Sequence, residues 1–154
     1  MRTLRNRYHL VRHGHSLANE QGLIISRLTA ECIASELEAA LGTAVPVQPA
    51  SGLRERDFGE LEGRSHEEYA AVWAGDAVSA ANRAGGTGES VTNVADRAEA
   101  VILQLERDHE DRDIILVGHG DSISILSARL LGPSLEQHRR YGLANCGVLR
   151  IPPA

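Results

Sequence analysis

Apolar and polar positions along this chain change rhythm in a regular order. Residues 6–12, built on the run Tyr8-His9-Leu10-Val11, read as a strand. Helical spacing follows over 29–41, carried by Ile33, Ala34, Leu37, Ala40 and Leu41, with Gly42 as the stop. Val45-Pro46-Val47 reads as a short strand, at an edge or a strand start, because proline cannot donate to a ladder. Residues 51–64 hold Gly52, Gly59 and Gly63 among many charges and read as a loop. Ser65-His66-Glu67-Glu68 has the form of a capping box opening a short helix to about Trp73. Residues 74–88, rich in Ala and Gly, read as a flexible surface connection. Ser90 is the expected N-cap of a long amphipathic helix, 91–108, with Val94, Ala98, Val101, Ile102 and Leu105 inward. A buried strand over 113–118 and a helix from Ser122 to Leu131, stopped by Gly132-Pro133, come next. Leu135 to Tyr141 is a short helical piece and Val148 to Ile151 a last strand. Strands alternating with helices predict a layered α/β fold with a largely parallel sheet.

The chain has 154 residues, most simply one domain over 1–154 with a substantial core. Sixteen basic residues stand against 21 acidic ones, a net charge of −5, which argues against a general nucleic-acid binder. All sixteen are Arg; there is no Lys. Cys32 and Cys146 lie in apolar sequence without metal-ligand spacing and read as buried free thiols, which suits a reducing cytoplasm. No signal peptide follows Arg2, Arg5 and Arg7, and no stretch approaches the ~20 apolar residues of a membrane span. Neither a Gly-Lys-Ser/Thr loop nor a Gly-x-Gly-x-x-Gly fingerprint is present. His9, His66, His109 and His138 show no metal-ligand spacing, so no metal and no cofactor is expected.

Two strand-to-histidine junctions change the picture. The first strand ends in Arg12-His13-Gly14-His15, with Ser16 and Asn19 beyond; Ile114-Ile115-Leu116-Val117 runs into Gly118-His119-Gly120. Carboxyl ends of strands are where open α/β sheets build their sites, so the two histidines are expected to converge on one pocket. Taken singly, each residue has a bland reading: His13 a satisfied core histidine, Arg12 a surface ion pair, His119 a helix-start histidine, and Glu55 part of a solvated charge run.

Five segments in order resemble the histidine phosphatase superfamily, also called the phosphoglycerate mutase-like family. They are Leu10 to Asn19, Leu53 to Gly63, Gly88-Glu89-Ser90 with Arg97, Val117 to Gly120, and Asn145-Cys146-Gly147; Gln137 to Tyr141 is similar to one branch. The resemblance implies a three-layer α/β/α sandwich of phosphoglycerate mutase type. It implies His13 as the phosphoryl acceptor, Glu55 as the proton donor and His119 as the second histidine. Arg12, Asn19 and Gly120 are then expected to bind the phosphate. The chemistry is sound on its own terms, because a neutral imidazole, with pKa near ~6.5, is a nucleophile at neutral pH. Its other nitrogen must be fixed by a hydrogen bond. His15 departs from the acidic residue common at its position and is expected to face solvent.

The implied activity is metal-independent hydrolysis of a small phosphorylated substrate; alternatives are mutase-type phosphoryl transfer and a non-catalytic phospho-ligand binder. One departure bears on all three. Thr29-Ala30-Glu31 resembles the family's Thr-Ala and following helix, yet Ile25 stands where a second phosphate-binding arginine is expected, and Arg27 is out of register. The bridge from Gly22 to Thr29 is too short for a crossover, which takes a dozen or more residues. One helix and one central strand are therefore expected to be missing. Either the chain is a shortened form, or a segment between Leu28 and Thr29 is absent from the sequence, the reading the strand arithmetic favours. In a shortened form the strands re-pair or a second chain fills the gap, which leaves a homodimer open.

Overall fold

The computed structural model describes residues 3–14 and 25–153. The first strand, β1 (Arg7–Arg12), is followed by α1 (Ile25–Leu41) and two 3₁₀ turns, Ser51–Leu53 and Gly59–Leu61. Then come α2 (His66–Val78), α3 (Val91–Asp108), β2 (Asp113–Gly118), α4 (Gly120–Leu131), a 3₁₀ segment Leu135–Tyr141 and β3 (Val148–Ile151). The strand order is β2-β1-β3. The parallel β1–β2 pair aligns Arg12 with Gly118, and the antiparallel β1–β3 pair aligns Val11 with Val148.

Side chains alternate across a strand, so Tyr8 and Leu10 share one face with their partners Ile114, Leu116, Leu149 and Ile151. That face meets Ala98 and Ile102 of α3 and Ile123 and Leu126 of α4 in the main core. The stripe expected on 91–108 is the stripe that packs, and Ser90 caps α3 by accepting Asn93 N–H at 3.1 Å. Such a cap is worth about 1 kcal/mol. α1 packs against β2 outside this core, which completes the helix–sheet–helix layering.

Three expectations change. Val45-Pro46-Val47 forms no strand; Val47 is exposed and no neighbour offers it a ladder. The helix expected to end near Trp73 runs on to Val78, because Asp76 on its last turn is buried against Arg56. The stretch to residue 88 is pinned rather than loose: Gly88 N–H donates to Ala84 O at 2.8 Å and Glu89 N–H to Asp57 O at 2.8 Å. Gly85, at φ +51°, lets this turn lie directly on Phe58 O.

α1 runs unbroken through Leu28 and Thr29, so the two are neighbours in a helical turn. Among the described residues β1 is paired on both sides, by β2 and by β3. The unpaired groups fall instead on the outer edge of β2, where water can serve them.

Candidate active site

The register of β1 and β2 sets the site. Arg12 and Gly118 stand level, and His13 N–H donates to Gly118 O at 2.9 Å, so both strands deliver a histidine at the same height. The His13 and His119 rings meet edge to face with centroids 4.8 Å apart. β3 closes the other side: Cys146 N–H donates to Arg12 O at 3.0 Å and Arg12 N–H to Gly147 O at 3.1 Å.

His13 is buried, and its Nδ1 lies 2.7 Å from Gly14 O. A carbonyl can only accept, so Nδ1 carries the proton and Nε2 keeps its lone pair. Gly14 is tied in turn to α1, donating its N–H to Thr29 Oγ1 at 3.3 Å. His119 is held neutral: burial first, then the neighbouring His13 and Arg97, push its pKa down to about 4. As a neutral imidazole it can still donate one N–H to an oxyanion.

Arg12 Nη1 donates to Leu143 O at 2.7 Å, which fixes the guanidinium plane. Its Nε is buried with no hydrogen-bond partner among the described residues. An unmet buried donor costs ~1–3 kcal/mol, more for a charged group, and calls for an acceptor. Gly120 borders it: a Cβ there would stand 3.5 Å from Arg12 Nε and Cζ. The absence of a side chain at the start of α4 leaves room beside the guanidinium for an anion at a helix N-terminus.

Glu55 reaches the same helix start. Its Oε1 accepts Arg56 N–H at 2.9 Å and Ser122 N–H at 3.2 Å, and meets Ser122 Oγ at 3.1 Å. Burial pushes its carboxyl above the ordinary carboxylate range and Asp121 adds to this, against the hydrogen bonds that pull the other way. The loop carrying Glu55 is clamped by Arg97 of α3. Arg97 holds Glu89 through Nε and Nη2, each at 2.9 Å. The same guanidinium donates to Gly52 O at 2.6 Å, Arg54 O at 3.0 Å and Glu55 O at 3.2 Å.

Beneath the loop lies a polar network that the sequence does not announce. Arg56 and Asp76, both buried, pair through two bonds of 2.6 and 2.9 Å. Asp121 accepts Trp73 Nε1–H and Arg139 Nη1–H, each at 3.0 Å, while Arg139 stacks 3.8 Å over the Trp73 ring. His138 is buried beside Ser124 at 3.2 Å, with Nε2 3.4 Å from Asp76.

Arg12, His13, His119 and Gly120 thus stand together at the strand ends, and Glu55 is held by the start of the same helix; Asn19 and His15 lie outside the described residues. No second arginine joins Arg12 among the described residues: Arg27 is on α1 and pairs with Glu31 at 2.7 Å. No group of three potential metal ligands forms among them. Both cysteines are exposed free thiols rather than buried ones. Cys146 sits in a left-handed turn, φ 60°, that points it out beside Gly14, and Cys32 faces outward on α1.

Comparison with known proteins agrees with this geometry. The family described as histidine phosphatase superfamily (branch 1) matches residues 26–153, a span that holds Glu55 and His119 and begins after Arg12-His13-Gly14. A glucosyl-3-phosphoglycerate phosphatase of Mycolicibacterium vanbaalenii is 33% identical over 138 residues, covering 75% of this chain and 56% of its own length. A probable phosphoglycerate mutase of Erwinia tasmaniensis is 30% identical, covering 89% of this chain and 62% of its own. The chain therefore spans less than two thirds of the length of these relatives. Among solved structures, the alpha-ribazole phosphatase from Shigella flexneri shares the fold with a TM-score of 0.69 at 22% identity, covering 95% of this chain and 90% of that one. The native mycobacterial glucosyl-3-phosphoglycerate phosphatase shares it with a TM-score of 0.68 at 22% identity, over 94% and 88%.

Proposed function

The chain belongs to branch 1 of the histidine phosphatase superfamily, and from that premise we propose that it hydrolyses phosphate monoesters through a phosphohistidine on His13. His13 Nε2 attacks phosphorus, and the bond to the leaving oxygen breaks. Glu55 gives that oxygen its proton. Water then attacks the phosphohistidine, Glu55 takes a proton from it, and the N–P bond returns its electron pair to Nε2. Arg12 Nε–H and the N–H of neutral His119 meet the phosphoryl oxygens, Gly120 leaves them room, and Asn19 supplies a further donor on the strength of its motif. No step needs a metal or an organic cofactor.

The observation that carries this reading is the 2.7 Å contact between His13 Nδ1 and Gly14 O, which leaves Nε2 as the only ring nitrogen with a lone pair. The substrate class is a small phosphorylated metabolite, as the names of the relatives suggest, and not a nucleic acid, given the net charge of −5. A cytoplasmic setting accords with two free thiols on the surface. No helix among the described residues is long and apolar enough to cross a membrane.

Replacing His13 by Ala tests the assignment. Turnover of 4-nitrophenyl phosphate should vanish, and a variant that keeps more than a small fraction of the wild-type rate rules His13 out. Glu55→Gln should slow phenyl phosphate far more than 4-nitrophenyl phosphate, because an activated leaving group needs little protonation. Equal slowing of both rules Glu55 out as the acid. A binding-only role has one observation in its favour, that no second arginine stands beside Arg12 among the described residues; inorganic phosphate binding without turnover of either ester would establish it.

A further inference from the structure

Gly14 carries the carbonyl that sets the tautomer of His13, accepting Nδ1–H at 2.7 Å. His13 itself is fixed by the sheet, since its N–H donates to Gly118 O at 2.9 Å. Gly14 lies beyond the end of β1, and among the described residues no strand hydrogen bond reaches it. Its position is closed to larger residues: a Cβ there would stand 3.2 Å from Cys146 Sγ, in the turn whose N–H is bound to Arg12 O. Glycine loses more freedom on ordering than any other residue, so a carbonyl carried by a glycine needs a tie from outside. That tie comes from α1. Gly14 N–H donates to Thr29 Oγ1 at 3.3 Å.

We propose that Thr29 is a positioning residue for the nucleophile: by holding Gly14 N–H, its hydroxyl keeps Gly14 O on His13 Nδ1 and so keeps Nε2 the free, attacking nitrogen. This rests on the reading of His13 as the phosphoryl acceptor. The helix that brings no arginine to the pocket among the described residues thus still serves it, through one hydroxyl. Valine has the shape of threonine but would turn a methyl toward Gly14 N–H. The glycine could then turn, its carbonyl would leave the imidazole plane, and the ring proton could settle on Nε2. A ring with its proton there has no lone pair to give phosphorus from that side.

Thr29 makes no part of the phosphate pocket. Arg12 is held by Leu143 O, and His119 and Gly120 by the start of α4. Those donors stay in place in a Thr29 variant, so phosphate binding and the attack by His13 should separate.

The test pairs single-turnover kinetics on 4-nitrophenyl phosphate with 15N NMR of histidine-labelled protein at alkaline pH, the His13 signals being assigned by their loss in His13→Ala. In the wild type His13 Nδ1 should resonate as a protonated nitrogen and Nε2 as a bare one. In Thr29→Val the two shifts should draw together, and phosphohistidine formation should slow roughly two- to tenfold, the worth of one neutral hydrogen bond. The inhibition constant of inorganic phosphate should stay at the wild-type value. Thr29→Ser, which keeps the hydroxyl, should restore both the rate and the shifts. Where Thr29→Val does not fold, Thr29→Ala carries the same expectations. A Val or Ala variant with a lower melting temperature but an unchanged rate and unchanged His13 shifts overturns the proposal, since Thr29 would then only fasten α1 to the sheet. So does a Ser variant as slow as Val, or a loss of phosphate binding that matches the loss of rate. Undiminished turnover by His13→Ala overturns the nucleophile itself, a separate failure.

Discussion

Replacing Asp76 by Asn keeps its shape and removes its charge, and it should cost this protein about 3 kcal/mol of stability. Arg56 and Asp76 are each 1% exposed and meet through bonds of 2.6 and 2.9 Å. Water cannot reach the guanidinium if its partner fails. Breaking such a pair from one side costs ~3–5 kcal/mol, because an uncompensated charge is left inside. Asp121, 3.6 Å from Arg56 Nη1, offers partial relief and places the value at the lower end. An Asn amide also turns one donor against the guanidinium's own donors. At roughly 2–4 °C per kcal/mol for a chain of this size, the melting temperature should fall by ~6–12 °C. Arg56→Met with Asp76→Leu together should recover much of what either single change loses. Urea unfolding followed by far-ultraviolet circular dichroism gives both values. Asp76→Asn costing less than ~1 kcal/mol, or losses that simply add in the double variant, would refute the reasoning. The pH dependence has a definite sign. Burial alone would raise the Asp76 pKa, but His138 and Arg56 outweigh it and hold it below the ordinary value. The contribution is therefore present above the unfolded pKa, ~3.9, and is lost as pH falls through the lower folded one.

Three further outcomes are expected. Gly85→Ala forces a side chain into a left-handed turn against Phe58 O and should destabilise by more than ~1 kcal/mol in the same urea assay; a neutral result contradicts the interlock of the two turns. His119, with a folded pKa of about 4, binds fewer protons folded than unfolded up to ~6.5, so stability should rise with pH across that window and fall as pH drops toward 4; His119→Gln should flatten the slope, and an unchanged slope contradicts a buried neutral imidazole. Hydrolysis of 4-nitrophenyl phosphate should be indifferent to EDTA, and inactivation that zinc or magnesium reverses would sink the metal-free mechanism.

Local chemistry was legible where it is written locally. The strand leading into Arg12-His13-Gly14, the strand into His119 and the Ser90-capped helix each carry their signal within a few residues. The buried Arg56–Asp76 pair was not legible, because Arg54-Glu55-Arg56-Asp57 looks the same whether a loop is solvated or clamped, and the partner lies twenty positions on. The clamps supplied by Ser122 and Thr29 are single hydroxyls with no periodicity to betray them. Val45-Pro46-Val47 has strand chemistry, but a strand needs a neighbour, and the sheet places none beside it. The bridge from Gly22 to Thr29 is too short for a crossover, but its length does not say beside which strand the missing one would pair. Order within a sheet is a property of pairing, and the length of a connection bounds it without fixing which strand lies at an edge.

The claim that the rest depends on is the bond between His13 and phosphorus. The protein is mixed with 32P-labelled phenyl phosphate, quenched in alkali where phosphohistidine survives, digested and mapped by mass spectrometry. The account predicts an acid-labile phosphoryl group on the peptide that holds His13, absent in His13→Ala and accumulating in Glu55→Gln with an activated ester. A phosphoryl group on His119 or on any serine, or steady turnover by the wild type with no label on His13 at any quench time, would contradict it.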